Sequence, residues 1–486
     1  MTASPTSYVL ALDEGTTNAK AFAVAPDGTI LSSGSAPVPV SYPQPGWVEQ
    51  DAEAIWAAQA QAIRDCLAGV KGAPSGITIS NQRESVVCWD ARTGQALAPV
   101  LGWQDSRTAE FCDWLRSPER EFAVAATTGL SLDPMFSAPK MRYLLDRVSA
   151  AGQADRARIG TVDSWLVARL TGQDSYVIEA GNASRTLLLD LATLGWSEQM
   201  CDLFGVARDV LPRVVASNAD FGRTRGLDLL PDGVPVVGVL GDSHAALFGH
   251  GCRSPQEGKA TYGTGSSVMV PSGADRSVRP GVSTTLAWLT EEPMYGHEGN
   301  IVASGTAMDW TARLLGMAPG RELDDLAATV PDSGGVTLVP AFTGLGAPWW
   351  DRQAVGLVSG VTAGTERGHV ARAALEAVAH QIADVLEALG SEDLEVLHAD
   401  GGATASRLLM QCQADLLGRS VVVSSNAEVS ALGAALMGFS HLGWPLPDLE
   451  SDGGHRYEPV MEPAARAAVR SQWAKALSRS RMTSVG

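Results

Sequence analysis

A carboxylate, a glycine and two hydroxyls stand together in Asp13-Glu14-Gly15-Thr16-Thr17, between two short apolar runs within residues 8–24. The runs read as the strands of a β-hairpin and the polar residues as its tip. A glycine lets the backbone approach a phosphate closely, adjacent N–H groups can cradle it, and a carboxylate beside them can hold Mg²⁺ directly or through water. The tip therefore suits a metal–polyphosphate, although a plain tight turn uses the same residue types. The pattern returns within residues 259–270, where Tyr262-Gly263-Thr264-Gly265-Ser266-Ser267 again separates two strand-like runs. Two half-chains that each open with a phosphate-ready hairpin suggest duplicated domains facing one another across a nucleotide cleft.

Three further groups lie at predicted strand ends, where open α/β sheets bind ligands. The strand 76–80 runs into Asn81-Gln82-Arg83-Glu84, in which Arg83 offers a donor fork and Glu84 an acceptor to vicinal hydroxyls. A surface ion pair is the alternative for that dipeptide. The apolar run 234–240 ends at Gly241-Asp242-Ser243-His244. Asp242 suits either the N-cap of a helix over 245–248 or a general base near a positive helix end. The strand 394–398 ends in Asp400-Gly401-Gly402-Ala403, a turn on which a base or ribose can lie against bare backbone. Trp103 can stack on the carbon face of a polyol or belong to the core. His244 and His250 read as structural.

The elements that must position these groups follow from periodicity. Residues 29–34 extend the first sheet, and Asp51 caps a helix whose apolar face is Ile55, Ala58, Ala62, Ile63, Cys66 and Leu67. Helices are expected over 306–315, 366–389, 406–417 and 430–438, the last rich in glycine and alanine and so suited to close packing.

With 486 residues the chain exceeds what one core usually serves, and two domains, 1–250 and 251–486, are expected. An apolar content of 45% with 19% charged residues excludes wholesale disorder. The net charge of −18 argues against nucleic acid or an anionic membrane face as partner. Six scattered cysteines lack metal-ligand spacing and read as reduced thiols. Without a basic leader or an apolar run of spanning length, the expected location is the cytoplasm.

Taken in order, Asp13-Glu14-Gly15-Thr16-Thr17, Asn81-Gln82-Arg83-Glu84, Trp103-Gln104-Asp105, Gly241-Asp242, Thr261-Tyr262-Gly263-Thr264-Gly265, Gly344-Leu345-Gly346-Ala347-Pro348-Trp349-Trp350-Asp351 and Asp400-Gly401-Gly402-Ala403 resemble the FGGY carbohydrate kinases over about the whole length, the glycerol kinase branch most closely. The resemblance implies an α/β fold of two ribonuclease-H-like domains of the actin/hexokinase superfamily closing on MgATP. The first domain would bind the acceptor and carry the base; the second would bind ATP. It makes Asp242 the catalytic base and Asp13 the residue that places the metal. Gly15, Thr16, Thr17 and Lys20 would meet the phosphates from one side, and Thr264 and Gly265 from the other. Gly305, Asp309, Gly401, Gly402 and Ser406 would border the adenosine.

The resemblance also implies that Arg83, Glu84, Trp103, Met135, Asp242, Ser243 and Ser267 hold the acceptor, and that a homodimer or homotetramer is among the possible assemblies. Departures cluster there: Met135, Ser243 and Ser267 stand where glycerol kinases carry Tyr, Gln and Phe. Lys20 replaces an Arg, as in the sugar-kinase branches, while Asp309 and Ser406 replace adenine-side Gln and Asn. The expected activity is ATP-dependent phosphorylation of a terminal hydroxyl on a polyol or ketose of four or five carbons. The alternatives are glycerol kinase activity and, from another class, an actin-like nucleotide-driven scaffold.

Overall fold

The first sheet begins with the hairpin β1 (Val9–Glu14) and β2 (Asn18–Val24), to which β3 (Ile30–Pro37) adds antiparallel. The computed structural model describes residues 7–318, 320–447 and 454–482; the residues 1–6 read for a leader lie outside that range. Helix α1 (Ala52–Ala68) follows, with Asp51 Oδ1 accepting from Glu53 N at 2.9 Å as its N-cap. It packs so closely on β3 that a β-carbon at Gly34 would stand 2.1 Å from the carbonyl of Ala62. Strands β4 (Gly76–Asn81) and β5 (Val236–Gly241) complete the sheet in parallel, giving the order β5-β4-β1-β2-β3. Both are buried along their whole length, as strands covered on two faces are. Helix α2 (Asp242–Gly249) leaves the end of β5.

The second half repeats the plan. The hairpin β6 (Glu257–Tyr262) and β7 (Ser266–Gly273) is followed by β8 (Ser283–Leu289) and β9 (Pro293–Ile301), then helices α3 (Gly305–Leu314) and α4 (Arg367–Ala388). Strand β10 (Val396–Asp400), helix α5 (Arg407–Leu417), strand β11 (Ser420–Val423), helix α6 (Val429–Leu442) and strand β12 (His455–Tyr457) close the chain. The sheet order is β8-β9-β7-β6-β10-β11-β12. Within it, β9-β7-β6-β10-β11 reproduces β3-β2-β1-β4-β5 in order and direction. The internal echo in the sequence is thus a duplicated ribonuclease-H-like sheet.

Helix α6 belongs to the second half by sequence but packs on α2, β5 and β4 of the first. Small residues make that possible: a β-carbon at Gly433 would meet the Ala245 carbonyl at 1.8 Å, and one at Gly438 would meet Thr78 Cγ2 at 2.4 Å. The apolar face of α6 (Ala431, Leu432, Ala435, Leu436, Phe439) then joins Val9, Leu240 and Phe248 in one core cluster. The apolar side of α4 and its C-cap is largely buried, with Val378, Ile382, Val385 and Leu389 in the second core and Val370 half-exposed. Among the described residues, no helix is long and apolar enough to cross a membrane.

Candidate active site

The two hairpin tips are the frame. At the first, Gly15 N donates to Asn18 O at 3.0 Å, and register places Asp13 opposite Lys20. Burial pushes the Asp13 carboxyl up to about 6, against the pull of Lys20. Lys20 Nζ meets Glu428, just before α6, at 2.6 Å. Thr16 accepts from the indole N–H of Trp103 at 3.1 Å, and Thr17 is exposed. At the second tip the Thr264 carbonyl accepts from Ser304 N and Thr306 N at 3.0 and 3.1 Å, and the Gly263 carbonyl from Gly305 N at 3.0 Å. These bonds staple the tip to the N-terminus of α3 and use the first N–H groups of that helix. Gly265 has no room for a side chain, since a β-carbon would stand 2.3 Å from the Ile301 carbonyl.

On the expected adenosine side, Gly401 follows β10 at φ +93°, and its β-carbon would lie 2.5 Å from the Tyr262 carbonyl. Gly402 has open space where its side chain would be. The residue before this turn, Asp400, is held by His250 Nε2 at 2.6 Å, which gives that histidine a positioning role. Asp309 is half-buried on α3. Ser406 caps α5, accepting from Leu409 N at 3.1 Å and donating to Asp324 at 2.9 Å. Its hydroxyl is occupied inside its own domain and joins α5 to the helix Arg321–Ala327.

The acceptor side is built by strand register. Parallel pairing sets Gly241 beside Asn81, so the residues that follow β4 and β5 emerge together. A β-carbon at Gly241 would stand 2.5 Å from Cγ and Cδ of Arg83; only glycine lets that side chain cross. Arg83 Nε reaches Asp242 Oδ1 at 3.2 Å, while Nη1 and Nη2 donate to Glu298 Oε2 and Oε1 at 2.9 and 2.5 Å. Glu84, at φ +62°, accepts from Arg185 Nε at 2.6 Å. Arg185 Nη1 lies 3.1 Å from Glu298 as a charge contact, without hydrogen-bond alignment. The Arg83-Glu84 dipeptide is therefore a buried charge network, not a surface ion pair.

Glu298 loses hydration by burial, yet Arg83 and Arg185 hold its carboxyl well below the usual carboxylate range. Asp242 differs. Its side chain keeps 44% of its surface open whereas that of Arg83 keeps 6%, and loss of solvation still pushes its carboxyl upward against Arg83. Helix α2 begins at Asp242 with Gly241 in the cap position, so the N-cap alternative does not hold. His244 is fully buried, with Nε2 3.3 Å from Arg83 Nη1, and burial together with that guanidinium takes it well below its ordinary value.

Trp103 is 37% exposed, Met135 is half-buried against the core cluster beneath it, and the hydroxyls of Ser243 and Ser267 are 3.2 Å apart. Three participants were not singled out from the sequence: Glu298, Arg185 and Lys259. Lys259 is fully buried and donates to Ser267 at 3.3 Å and Thr261 at 3.1 Å. The available signal was a charged residue within an otherwise strand-like run, Glu298 between His297 and Gly299 and Lys259 between Gly258 and Ala260.

A duplicated actin/hexokinase-type fold with a glycine–hydroxyl hairpin tip in each half and a partly open carboxylate at a strand end defines a class of phosphotransferases acting on alcohol groups. Within it, the chain belongs to the FGGY family of carbohydrate kinases: the family's N-terminal domain matches residues 8–249 and its C-terminal domain residues 258–442. It is 43% identical over 485 residues to a glycerol kinase of Citrifermentans bemidjiense, covering 96% of this chain and 97% of that one. It is equally 43% identical over 491 residues to an apulose kinase of Pectobacterium atrosepticum, covering 98% and 99%. Among solved structures it is similar to Plasmodium falciparum glycerol kinase with ADP, at a TM-score of 0.91 and 29% identity over 98% of each chain. It is also similar to a xylulose kinase from Rhodospirillum rubrum, at 0.85 and 27% identity over 97% and 98%. The enzyme is thus an ATP-dependent kinase, and the scaffold alternative falls away.

Proposed function

We propose that the enzyme transfers the γ-phosphate of MgATP to a terminal hydroxyl of a polyol or ketose of four or five carbons, with Asp242 as general base. The observation that carries this is the Asp242 carboxylate, 44% exposed at the end of β5 and ion-paired to Arg83 at 3.2 Å. The first domain supplies the base and most of the acceptor site, and the second most of the nucleotide site. The acceptor lies along Arg83, Glu84, Trp103, Met135, Ser243 and Ser267. Asp242 takes the proton of the attacking hydroxyl as its oxygen bonds to the γ-phosphorus and the bond to the bridging oxygen of ADP breaks in line.

Gly15, Thr16, Thr17 and Lys20 hold the phosphates from one side, Thr264 and Gly265 from the other. Gly305, Asp309, Gly401, Gly402 and Ser406 border the adenosine, Ser406 by fixing the start of α5. Mg²⁺ would supply charge neutralisation on the phosphates. Among the described residues no group of three or more His, Cys, Asp or Glu forms a ready metal cage. That fits an ion held by one carboxylate, Asp13, together with phosphates and water.

The acceptor is the finer part of the reading. A glycerol kinase and an apulose kinase stand at the same identity, so overall similarity does not choose between a triol and a ketose. Ser243 and Ser267 replace an amide and an aromatic ring with two small hydroxyls, which leaves room beside a three-carbon substrate and changes its hydrogen-bond partners. Glycerol is the second reading, because Arg83, Glu84, Trp103 and Asp242 match that branch and a flexible Met135 can refill space. The test is kcat/KM for glycerol, erythritol, D-arabitol and D-xylulose in the wild type and in Met135→Tyr/Ser243→Gln/Ser267→Phe. The reading expects a longer acceptor to lead in the wild type and glycerol to gain in the triple variant. Glycerol leading in both would overturn it.

A further inference from the structure

Charge fixes the direction of two of the three hydrogen bonds at Ser267, and elimination then assigns the third. Lys259 Nζ donates to Ser267 Oγ at 3.3 Å, and Ser267 Oγ lies 3.1 Å from Glu298 Oε1 and 3.2 Å from Ser243 Oγ. Glu298 sits between two guanidiniums, with Arg83 at 2.5 Å and Arg185 at 3.1 Å, and as a carboxylate it can only accept. Lysine can only donate. A serine hydroxyl has one proton and two lone pairs. The Ser267 proton goes to Glu298, one lone pair takes Lys259, and the other is left for Ser243. The proton in the contact between the serines is therefore that of Ser243. Half-buried beside Asp242, Ser243 has only lone pairs left to offer a ligand.

We infer that Ser243 is an accept-only specificity residue: it selects an acceptor that presents a hydroxyl at the carbon facing it and rejects a carbonyl, ether or fluorine there. Lys259 and Glu298 are positioning residues that act through Ser267. The inference rests on the reading that a polyol or ketose binds beside Asp242. It deepens that reading by fixing the hydrogen-bond polarity of one substrate position. A site built to bond a hydroxyl discriminates strongly against an analogue that leaves its polar group unpaired.

Neutron diffraction on the deuterium-exchanged protein, read independently of turnover, should place deuterium on Ser267 toward Glu298 and on Ser243 toward Ser267. Deuterium on Ser267 aimed at Ser243, or on Ser243 aimed into the cleft, overturns the inference. The kinetic arm uses glycerol, 1,2-propanediol, 1,3-propanediol, 3-fluoro-1,2-propanediol and 2-fluoro-1,3-propanediol with MgATP. At one carbon, hydrogen and fluorine should each lower kcat/KM by about 10–100-fold relative to hydroxyl, the scale of one unpaired hydrogen-bonding group. Ser243→Ala should erase that ratio. Ser267→Ala, which releases the Ser243 proton, should recover the fluoro compound but not the deoxy one. Fluorine performing as well as hydroxyl in the wild type, or ratios unchanged in Ser243→Ala, contradicts the assignment. If none of the five is phosphorylated, the glycerol alternative fails and the neutron map still decides the polarity.

Discussion

Arg83 of the first domain and Glu298 of the second form a bidentate ion pair, at 2.9 and 2.5 Å, directly behind the Asp242 carboxylate. Breaking a buried pair from one side leaves a charge uncompensated, at a cost of roughly 3–5 kcal/mol. Here two guanidiniums, Arg83 and Arg185, share the same carboxylate. Glu298→Gln is therefore expected to lower stability by at least that order, with a lower denaturant midpoint in chemical unfolding. A variant with wild-type stability would show that the pair adds nothing to the fold.

Asp242→Asn should leave MgATP binding near wild type and lower kcat by about 10²–10⁴, the usual contribution of a positioned general base. Calorimetry and turnover on one preparation compare the two quantities. Equal loss of binding and rate would assign Asp242 to nucleotide positioning instead.

The pH dependence follows from the same residue. A base acts only when deprotonated, and burial raises the Asp242 carboxyl above the ordinary range despite Arg83. The rate should rise with pH through an acid limb lying above the value of about 3.9 for a free aspartate. In Asp242→Asn that limb should vanish from the profile of kcat/KM, and its persistence would assign it to another group.

Lys20 is tied to Glu428 at 2.6 Å, and both side chains are partly open to solvent. A lysine that also meets phosphate shares its donors with that carboxylate. Glu428→Gln should tighten MgATP by a few-fold, in keeping with the roughly 0–1 kcal/mol of an exposed pair. Weaker binding in that variant would mean that Glu428 orients Lys20 rather than competing for it.

Gly401 combines φ +93° with a carbonyl 2.5 Å from where a β-carbon would stand. Gly401→Ala should cost on the order of 1–3 kcal/mol or more and weaken nucleotide binding, since the turn must move away from β6. Thermal unfolding with and without MgATP separates the two effects.

Both hairpins, the ends of β4 and β5 and the Asp51 cap were legible because their signals are local: two-residue periodicity, glycine–hydroxyl tips and a capping carboxylate. Boundaries moved by small amounts. Strand β10 runs Val396–Asp400 rather than 394–398, and α6 extends to Leu442 because Phe439 and Leu442 continue its apolar face onto the first sheet. The Arg83 network was not legible, because its partner lies 215 residues away and local periodicity carries no information about which buried charges will meet. For Arg83 and Glu84 the sequence left open a grip on substrate hydroxyls or a surface ion pair, and it carried no sign that each holds a buried protein partner. The same limit applies to Ser406, whose position at a helix start was visible while its bond to Asp324 was not.

Phosphorus NMR of MgATP with the acceptor panel tests the central claim most directly. The wild type should convert ATP to ADP with the growth of one phosphomonoester signal, in equal amount and split by a CH₂ group, and Asp242→Asn should suppress both. Release of inorganic phosphate in place of a phosphomonoester, whichever acceptor is present, would contradict it.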